Sequence, residues 1–316
     1  LLSFKRVDFY KKIQIQNRSL ENIDFPIHFN QLGMNIAANL LKGKGAVILY
    51  DKDFPSVTLP WLNLGYEVQF FKNHLPGKIT LDDIESVRTE TSRILVISHV
   101  QYANGIRVNL DMLGDYCSNH NLILVIDAAQ SMGVVPINIK KQGIHILTGT
   151  GYKWLCAGYG VALVAIDLKL LSNHLPLVGW KSVKDAGDLD NKNSDFFHCA
   201  QSLEMGHAPF CGILALEEAI KLISELGIVN VQNRLLYLTG YLQEQVLKAG
   251  LKLHSPTAME NQSAISSIEV ERAEKATKQL LEQNIIVSAR GAGIRVSPHI
   301  YNNTDDIDRL IDALKF

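Results

Sequence analysis

One stretch limits what this chain can fold into. From Arg93 to Ile166 it runs RILVISHVQYANGIRVNLDMLGDYCSNHNLILVIDAAQSMGVVPINIKKQGIHILTGTGYKWLCAGYGVALVAI. Four apolar, β-branched runs, at 94–98, 122–126, 144–148 and 161–166, are bounded by Gly, Asn, Asp and Pro, which is the pattern of buried strands. Between the first two, Leu110, Leu113 and Cys117 recur at helical spacing. Strand alternating with helix predicts an α/β fold on a parallel sheet, whose ligands sit beyond the carboxyl ends of the strands. Three of those ends carry chemistry: His99, then Asp127 and Gln130, then Lys153.

Each of these residues has an ordinary explanation when taken singly. A lysine after a strand is usually solvated, an aspartate there usually caps a turn, and a buried histidine usually serves the core. Taken together and in this order they are specific. A desolvated lysine is a nucleophilic amine. Asp127, placed by a strand too apolar to tolerate an unpartnered charge, needs a cation opposite it.

The motifs SHV (98–100), DAAQ (127–130) and TGYKW (150–154) resemble those of the class V aminotransferase family, fold type I pyridoxal-phosphate enzymes. That group includes cysteine desulfurases and isopenicillin-N-epimerase-like enzymes. The resemblance implies a mainly parallel central sheet flanked by helices, plus a smaller C-terminal α+β domain. It implies pyridoxal 5′-phosphate (PLP) as cofactor, bound to Lys153 as an internal aldimine. His99 would stack on the ring, Ala129 would pack on its other face, and Gln130 would bond its phenolic oxygen. Asp127 would face the pyridine nitrogen, where an opposite charge within about 4–6 Å moves a pKa by roughly 1–3 units. Thr150 and Tyr152 stand where the family usually has Ser and His, both within the phosphate cup.

Upstream, FPIHF (25–29) predicts a short strand, and Asn30 a cap for a helix beginning around Gln31. Gly33 would let that backbone approach a ligand, since a helix N-terminus is a ready phosphate site. The resemblance places the cofactor phosphate here, at Gln31 and Leu32, with Gln31 where a Thr is usual. AVILY (46–50) predicts a strand, and DKDFPSVTLPW (51–61) resembles the family's E-H-P-S-N-x-x-P-W loop. Lys52, Asp53 and Phe54 take the place of its acidic and histidine positions. YEVQFF (66–71) alternates like an edge strand, and LDDIESV (81–87) opens a helix with acids in its first turn.

The polar tract at 181–195 predicts a mobile surface loop. SLEMGHAPF (202–210) resembles the family segment that reaches a partner subunit's cofactor phosphate, with His207 in the usual Thr position. The following helix carries Ile213, Leu216, Ile220 and Ile223 as a core stripe, and a long helix carries Leu235, Leu238, Leu242 and Val246. The remainder predicts strands at 251–254, 264–270, 285–289 and 293–297 and helices at 272–283 and 304–315, the last capped by Thr304. Two domains are expected, residues 1–230 and 231–316. Alternation turns Ile294 and Val296 one way and Arg295 and Ser297 the other. By resemblance, Arg295 grips the substrate α-carboxylate, with Arg290 a second candidate.

Composition narrows the partners. A net charge of −1 gives no argument for nucleic acid, and no apolar run reaches the ~20 residues a membrane span needs. Four cysteines without metal or paired spacing predict reduced thiols in the cytoplasm. The chain starts without Met, and related proteins carry residues ahead of this point, so its N-terminal part reads as incomplete. Gly149-Thr150-Gly151 lacks the third glycine and the following helix of a dinucleotide loop.

Cysteine desulfurases carry a nucleophilic Cys on the loop before the carboxylate-binding Arg. Here that loop is VSARGAG (287–293), without cysteine, and Tyr102 stands where desulfurases keep an Asn. The expected enzyme is therefore a homodimeric aminotransferase acting on a small amino acid and a 2-oxo acid. A desulfurase- or selenocysteine-lyase-like enzyme, an epimerase and a non-catalytic PLP-binding scaffold are the alternatives.

Overall fold

A computed structural model describes residues 23–24, 27–28, 32–171 and 175–314 of the 316. The sheet follows the apolar runs: β1 (Ile23–Asp24), β2 (Ile27–His28), β3 (Ala46–Tyr50), β4 (Val68–Phe71), β5 (Ser92–Ser98), β6 (Ile123–Asp127), β7 (Ile146–Thr150) and β8 (Ala162–Asp167). Their order is β1-β8-β7-β6-β5-β3-β4, with β2 also on β8. Pairs from β4 to β7 are parallel, and β4 is an edge, as its alternation predicts. The fourth run of the central stretch corrects the expectation, because β8 runs antiparallel to β7. Only residues 151–161 join the two, without a helix, and a parallel crossover needs about a dozen residues or more.

Alternate residues of each strand feed two cores. Ile48, Leu95, Ile97, Leu124 and Ile126 face α4 (Leu110–Asn119), whose Leu113 and Cys117 are fully buried. Val47, Leu49, Ile94, Val96 and Val125 face α1 (Leu32–Leu40) and Val57 and Trp61 of α2 (Pro55–Asn63). Gly33 is needed for this packing. A Cβ there would meet Val164 Cγ2 at 2.9 Å and Thr148 Cγ2 at 3.0 Å. α3 (Leu81–Glu85) starts in a capping box between Thr80 and Asp83.

Beyond β8, α5 (Phe210–Leu226) buries Leu216 and Ile223, while Ile213 and Ile220 of the expected stripe are half-buried. α6 (Ile228–Lys248) serves two clusters. Val231 and Leu235 pack with Trp154 and Leu216, and Leu238, Leu242 and Val246 pack with the C-terminal elements. Those are β9 (Ser266–Glu269), α7 (Ala273–Glu282), β10 (Ser288–Arg290), β11 (Gly293–Val296) and α8 (Thr304–Leu314). The second sheet, β10-β11-β9, is antiparallel.

Two smaller expectations are also corrected. The strand at 251–254 reduces to one bridge, Leu253 to Ile268. Asn303, not Thr304, caps α8, accepting the Asp306 N–H at 3.0 Å. The tract at 181–195 is stapled by a Val183–Phe196 bridge and a Lys184–Asp195 ion pair at 2.9 Å. Among the described residues, no helix is long and apolar enough to cross a membrane.

Candidate active site

Sheet register brings the expected residues together. Ser98 pairs with Asp127 and Asp127 with Thr148, so the carboxyl ends of β5, β6 and β7 finish side by side. His99 N–H donates to Asp127 O at 2.9 Å and Ala128 N–H to Thr148 O at 2.7 Å, extending the ladder one residue into the site. Lys153 follows on the loop from β7 to β8.

Asp127 accepts the Ala129 N–H on Oδ1 at 2.7 Å and has no ion-pair partner among the described residues. Burial pushes its pKa up to about 6; the neighbouring Asp53 adds to this, while Ala129 N–H and Lys153 pull it down. Lys153 is shifted the opposite way. Burial lowers its pKa, Asp127 counteracts, and Arg295 and Arg290 lower it further. Lysine and aspartate therefore feel each other's charge without touching. Burial, aided by Arg107, pushes His99 down to about 3, so its imidazole is neutral at physiological pH.

Gln130 Oε1 accepts the Trp154 indole N–H at 3.0 Å, which fixes the amide and leaves its nitrogen as the outward donor. Thr150 is buried with Oγ1 unpartnered, and so are His99 Nδ1 and Arg295 Nε. Buried polar atoms are normally satisfied, and orphans such as these are what a polar ligand would complete. Trp61 Nε1, also without a partner, lies in the core instead.

Arg295 reaches the site from β11, donating through Nη1 to Tyr102 O at 2.9 Å. Its neighbours alternate as expected, with Ile294 and Val296 buried in the C-terminal core. Arg290 is exposed and bonds its own chain at Ala289 O, at 2.7 Å, yet its charge bears on both Lys153 and Arg295. Tyr152 stacks on Tyr159, ring centroids 4.8 Å apart, with Lys153 Nζ 5.9 Å from the Tyr152 ring.

Gln31 lies outside the described residues. Two other expected residues are not joined to this group within the chain. Leu32 turns its side chain onto the sheet core, so only its backbone at the start of α1 remains for a ligand. His207 is exposed and packs edge-on against Trp180, centroids 5.5 Å apart.

Residues the sequence reading left without a role border this group. Asp53 is buried and accepts from Ser98 N–H at 2.8 Å, Ser98 Oγ at 2.5 Å, Gln101 Nε2 at 3.3 Å and Phe54 N–H at 2.7 Å. It clamps the β3–α2 loop to the end of β5. Phe54, on that loop, lies 5.8 Å from Lys153 Nζ and 5.1 Å from the Tyr102 ring. The signal was available: the departure of Lys52, Asp53 and Phe54 from the family loop marked the segment. A cleft of about 600 Å³ lined by Gly114, Cys117, Ile123, His145 and Asp167 lies at the opposite, amino ends of the central strands.

A lysine amine beyond a mainly parallel sheet, with a half-buried carboxylate at the neighbouring strand end, suits a cofactor-dependent α/β enzyme. The sequence profile of the family "Aminotransferase class-V" matches residues 28–310, and the chain belongs to that family. It is similar to an uncharacterized aminotransferase, YcbU, of Bacillus subtilis (strain 168), at 23% identity over 89% of this chain and 75% of that protein. It is also similar to a probable cysteine desulfurase of Borreliella burgdorferi, at 29% identity over 59% of this chain and 46% of that protein. Its fold matches the apo structure of a cysteine desulfurase from Thermococcus onnurineus NA1, with a TM-score of 0.86 at 19% identity. That match covers 98% of this chain and 82% of the other. The fold is type I, membership of the family makes the chain a PLP-dependent enzyme, and the orphaned polar atoms and the unpaired Asp127 fit that cofactor.

Proposed function

We propose that this enzyme is an aminotransferase acting on an α-amino acid and a 2-oxo acid, and that it works as a cytoplasmic homodimer. One observation carries the reading: Lys153 and Asp127 sit beyond adjacent strand ends, electrostatically coupled and not ion-paired. PLP would be held by Lys153, Asp127, His99, Ala129, Gln130, Thr150, Tyr152 and the start of α1, where Gln31 and Leu32 stand. When bound, it supplies an electron sink for charge developing at the substrate Cα.

The chain's own groups do the rest. Lys153 supplies the tethering amine, kept nucleophilic by burial, and Nζ then takes and returns the Cα proton. Asp127 presents a carboxylate that a cation opposite it would keep ionised. Neutral His99 offers a flat face without adding charge. Arg295, held by Tyr102 O and with Nε unpartnered, offers its fork to the α-carboxylate, with Arg290 adding charge behind it.

The hairpin from β10 to β11 pairs Arg290 with Gly293, leaving a two-residue turn without cysteine, which speaks against sulfur transfer there. Cys156 lies on the Lys153 loop, but burial raises its pKa and keeps it a thiol. A large unit, 1–230, and a small unit, 231–316, bridged by α6, suit a site that closes over its substrate. Exposed Phe210, Leu214 and Leu222 of α5 support a dimer, in which His207 would serve the partner's cofactor phosphate.

The test is direct. Protein reconstituted with PLP should absorb in the visible, and borohydride should fix the label on Lys153 and on no residue of Lys153→Ala. Release of a 2-oxo acid from an amino donor would support transamination. Sulfide from cysteine, or no oxo acid from any donor, would refute it.

A further inference from the structure

Phe54 and Tyr102 are absorbed by nothing above, although they lie at the centre of the site. An amino-acid substrate is fixed by its amine and its carboxylate, and its side chain then has only one direction to take. Resting on the proposed roles of Lys153 and Arg295, we infer that the Phe54–Tyr102 pair is the wall against which that side chain lies. The preferred donor is therefore an amino acid with an aromatic or large apolar side chain.

The geometry ties the pair to both anchors. At the carboxylate end, Arg295 Nη1 holds the backbone of Tyr102 at 2.9 Å. The Tyr102 ring meets Phe54 edge-to-face, 5.1 Å between centroids at 71°. At the amine end, the Phe54 ring lies 5.8 Å from Lys153 Nζ. The pair thus neighbours both anchors, Phe54 through its ring and Tyr102 through its backbone carbonyl. Phe54 remains 39% exposed, an unusual investment of apolar area for a ring beside a half-buried lysine.

The wall is also rigid. Asp53 accepts the Phe54 N–H at 2.7 Å and is itself pinned by Ser98 and Gln101, so the ring is set by a buried clamp. Preformed aromatic surfaces reward apolar groups, and edge-to-face contacts add to plain area burial. The rival reading is an acidic side chain met by Arg290. That guanidinium is exposed and already bonded to Ala289 O, whereas the ring pair is in place.

Carboxylates without an amine test this without turnover. Cofactor-loaded protein is titrated calorimetrically with 3-phenylpropionate, propionate and glutarate. Phenylpropionate should bind at least about tenfold tighter than propionate, a difference of about 1.4 kcal/mol. In Phe54→Ala, and independently in Tyr102→Ala, that ratio should fall below about threefold as the ring contact is lost. The inference is overturned if phenylpropionate shows no advantage or no binding, or if both variants keep the ratio. It is equally overturned if glutarate binds tightest and loses that rank in Arg290→Gln. Failure of the parent assignment appears earlier and separately, as protein that borohydride does not label at Lys153.

Discussion

Asp127 carries a pH-dependent cost while nothing pairs with it. Its folded pKa of about 6 exceeds the unfolded value of about 3.9, so the folded chain holds that proton more tightly. The resulting stabilisation is full below about pH 4 and is lost as pH rises to about 6. Above that, cofactor-free protein carries an ionised, unpaired carboxylate at a cost of about 3 kcal/mol. His99 has the opposite sign. Its folded pKa of about 3 lies below the unfolded value, so its contribution is present above about pH 6.5 and fades on acidification. Asp127→Asn removes the first effect and spares the Ala129 bond, which an amide oxygen can still accept. In urea denaturation, apo Asp127→Asn should be more stable than wild type by about 2–3 kcal/mol at pH 7.5, and by less than half of that at pH 4.5. The same variant should retain PLP worse than wild type, as equilibrium dialysis would read. A pH-independent stability difference would remove the titration of Asp127 as its cause.

At the scale of elements, the loop after β5 docks the C-terminal sheet onto the central one. Ser255 Oγ donates to Asn104 O at 2.6 Å, Ser263 Oγ to Gly105 O at 2.7 Å, and Arg107 N–H to Asn261 O at 2.9 Å. Gly105 adopts φ +74°, and a Cβ on it would stand 2.2 Å from Ile265 O. Gly105→Ala combines a disfavoured conformation with a backbone collision, so it should cost at least about 2 kcal/mol in stability. Because Arg295 holds Tyr102 on this same loop, the KM for the amino donor should rise more than kcat falls. Thermal melts and steady-state kinetics would check both. The loop also shows where the sequence could be read and where it could not. Strand runs 94–98 and 122–126 and the residues that end them were legible because pattern and chemistry there are local. The reversal at β8 was written only as a missing helix between Thr150 and Ala162. Phe54, Asp53 and Gly105 owe their places to partners far along the chain. Spacing carries no trace of such contacts, and only the departure of the 51–61 loop from its family pattern hinted at two of them.

Over the whole molecule, one chain holds most of a site and leaves His207 outside it, against Trp180. Phe210, Leu214, Leu222 and Leu226 of α5 stay exposed close to that residue in sequence, as an interface awaiting a second copy would be. If two-fold pairing carries His207 into the partner's phosphate cup, the two defects of Lys153→Ala and His207→Ala fall on different chains. Lys153→Ala alone should be inactive, and His207→Ala alone should bind PLP several-fold more weakly and lag at limiting cofactor. Unfolded together and refolded as a mixture, half of the dimers would pair one chain of each kind. One of the two sites in such a dimer would have an intact Lys153 and an intact His207, so activity at limiting cofactor should recover to about a quarter of wild type. A histidine serving its own chain's cofactor would give no recovery, because every site with Lys153 would still lack its own His207. Sedimentation velocity of the same mixture would show whether dimers had formed, which separates failure to pair from a wrong assignment of His207.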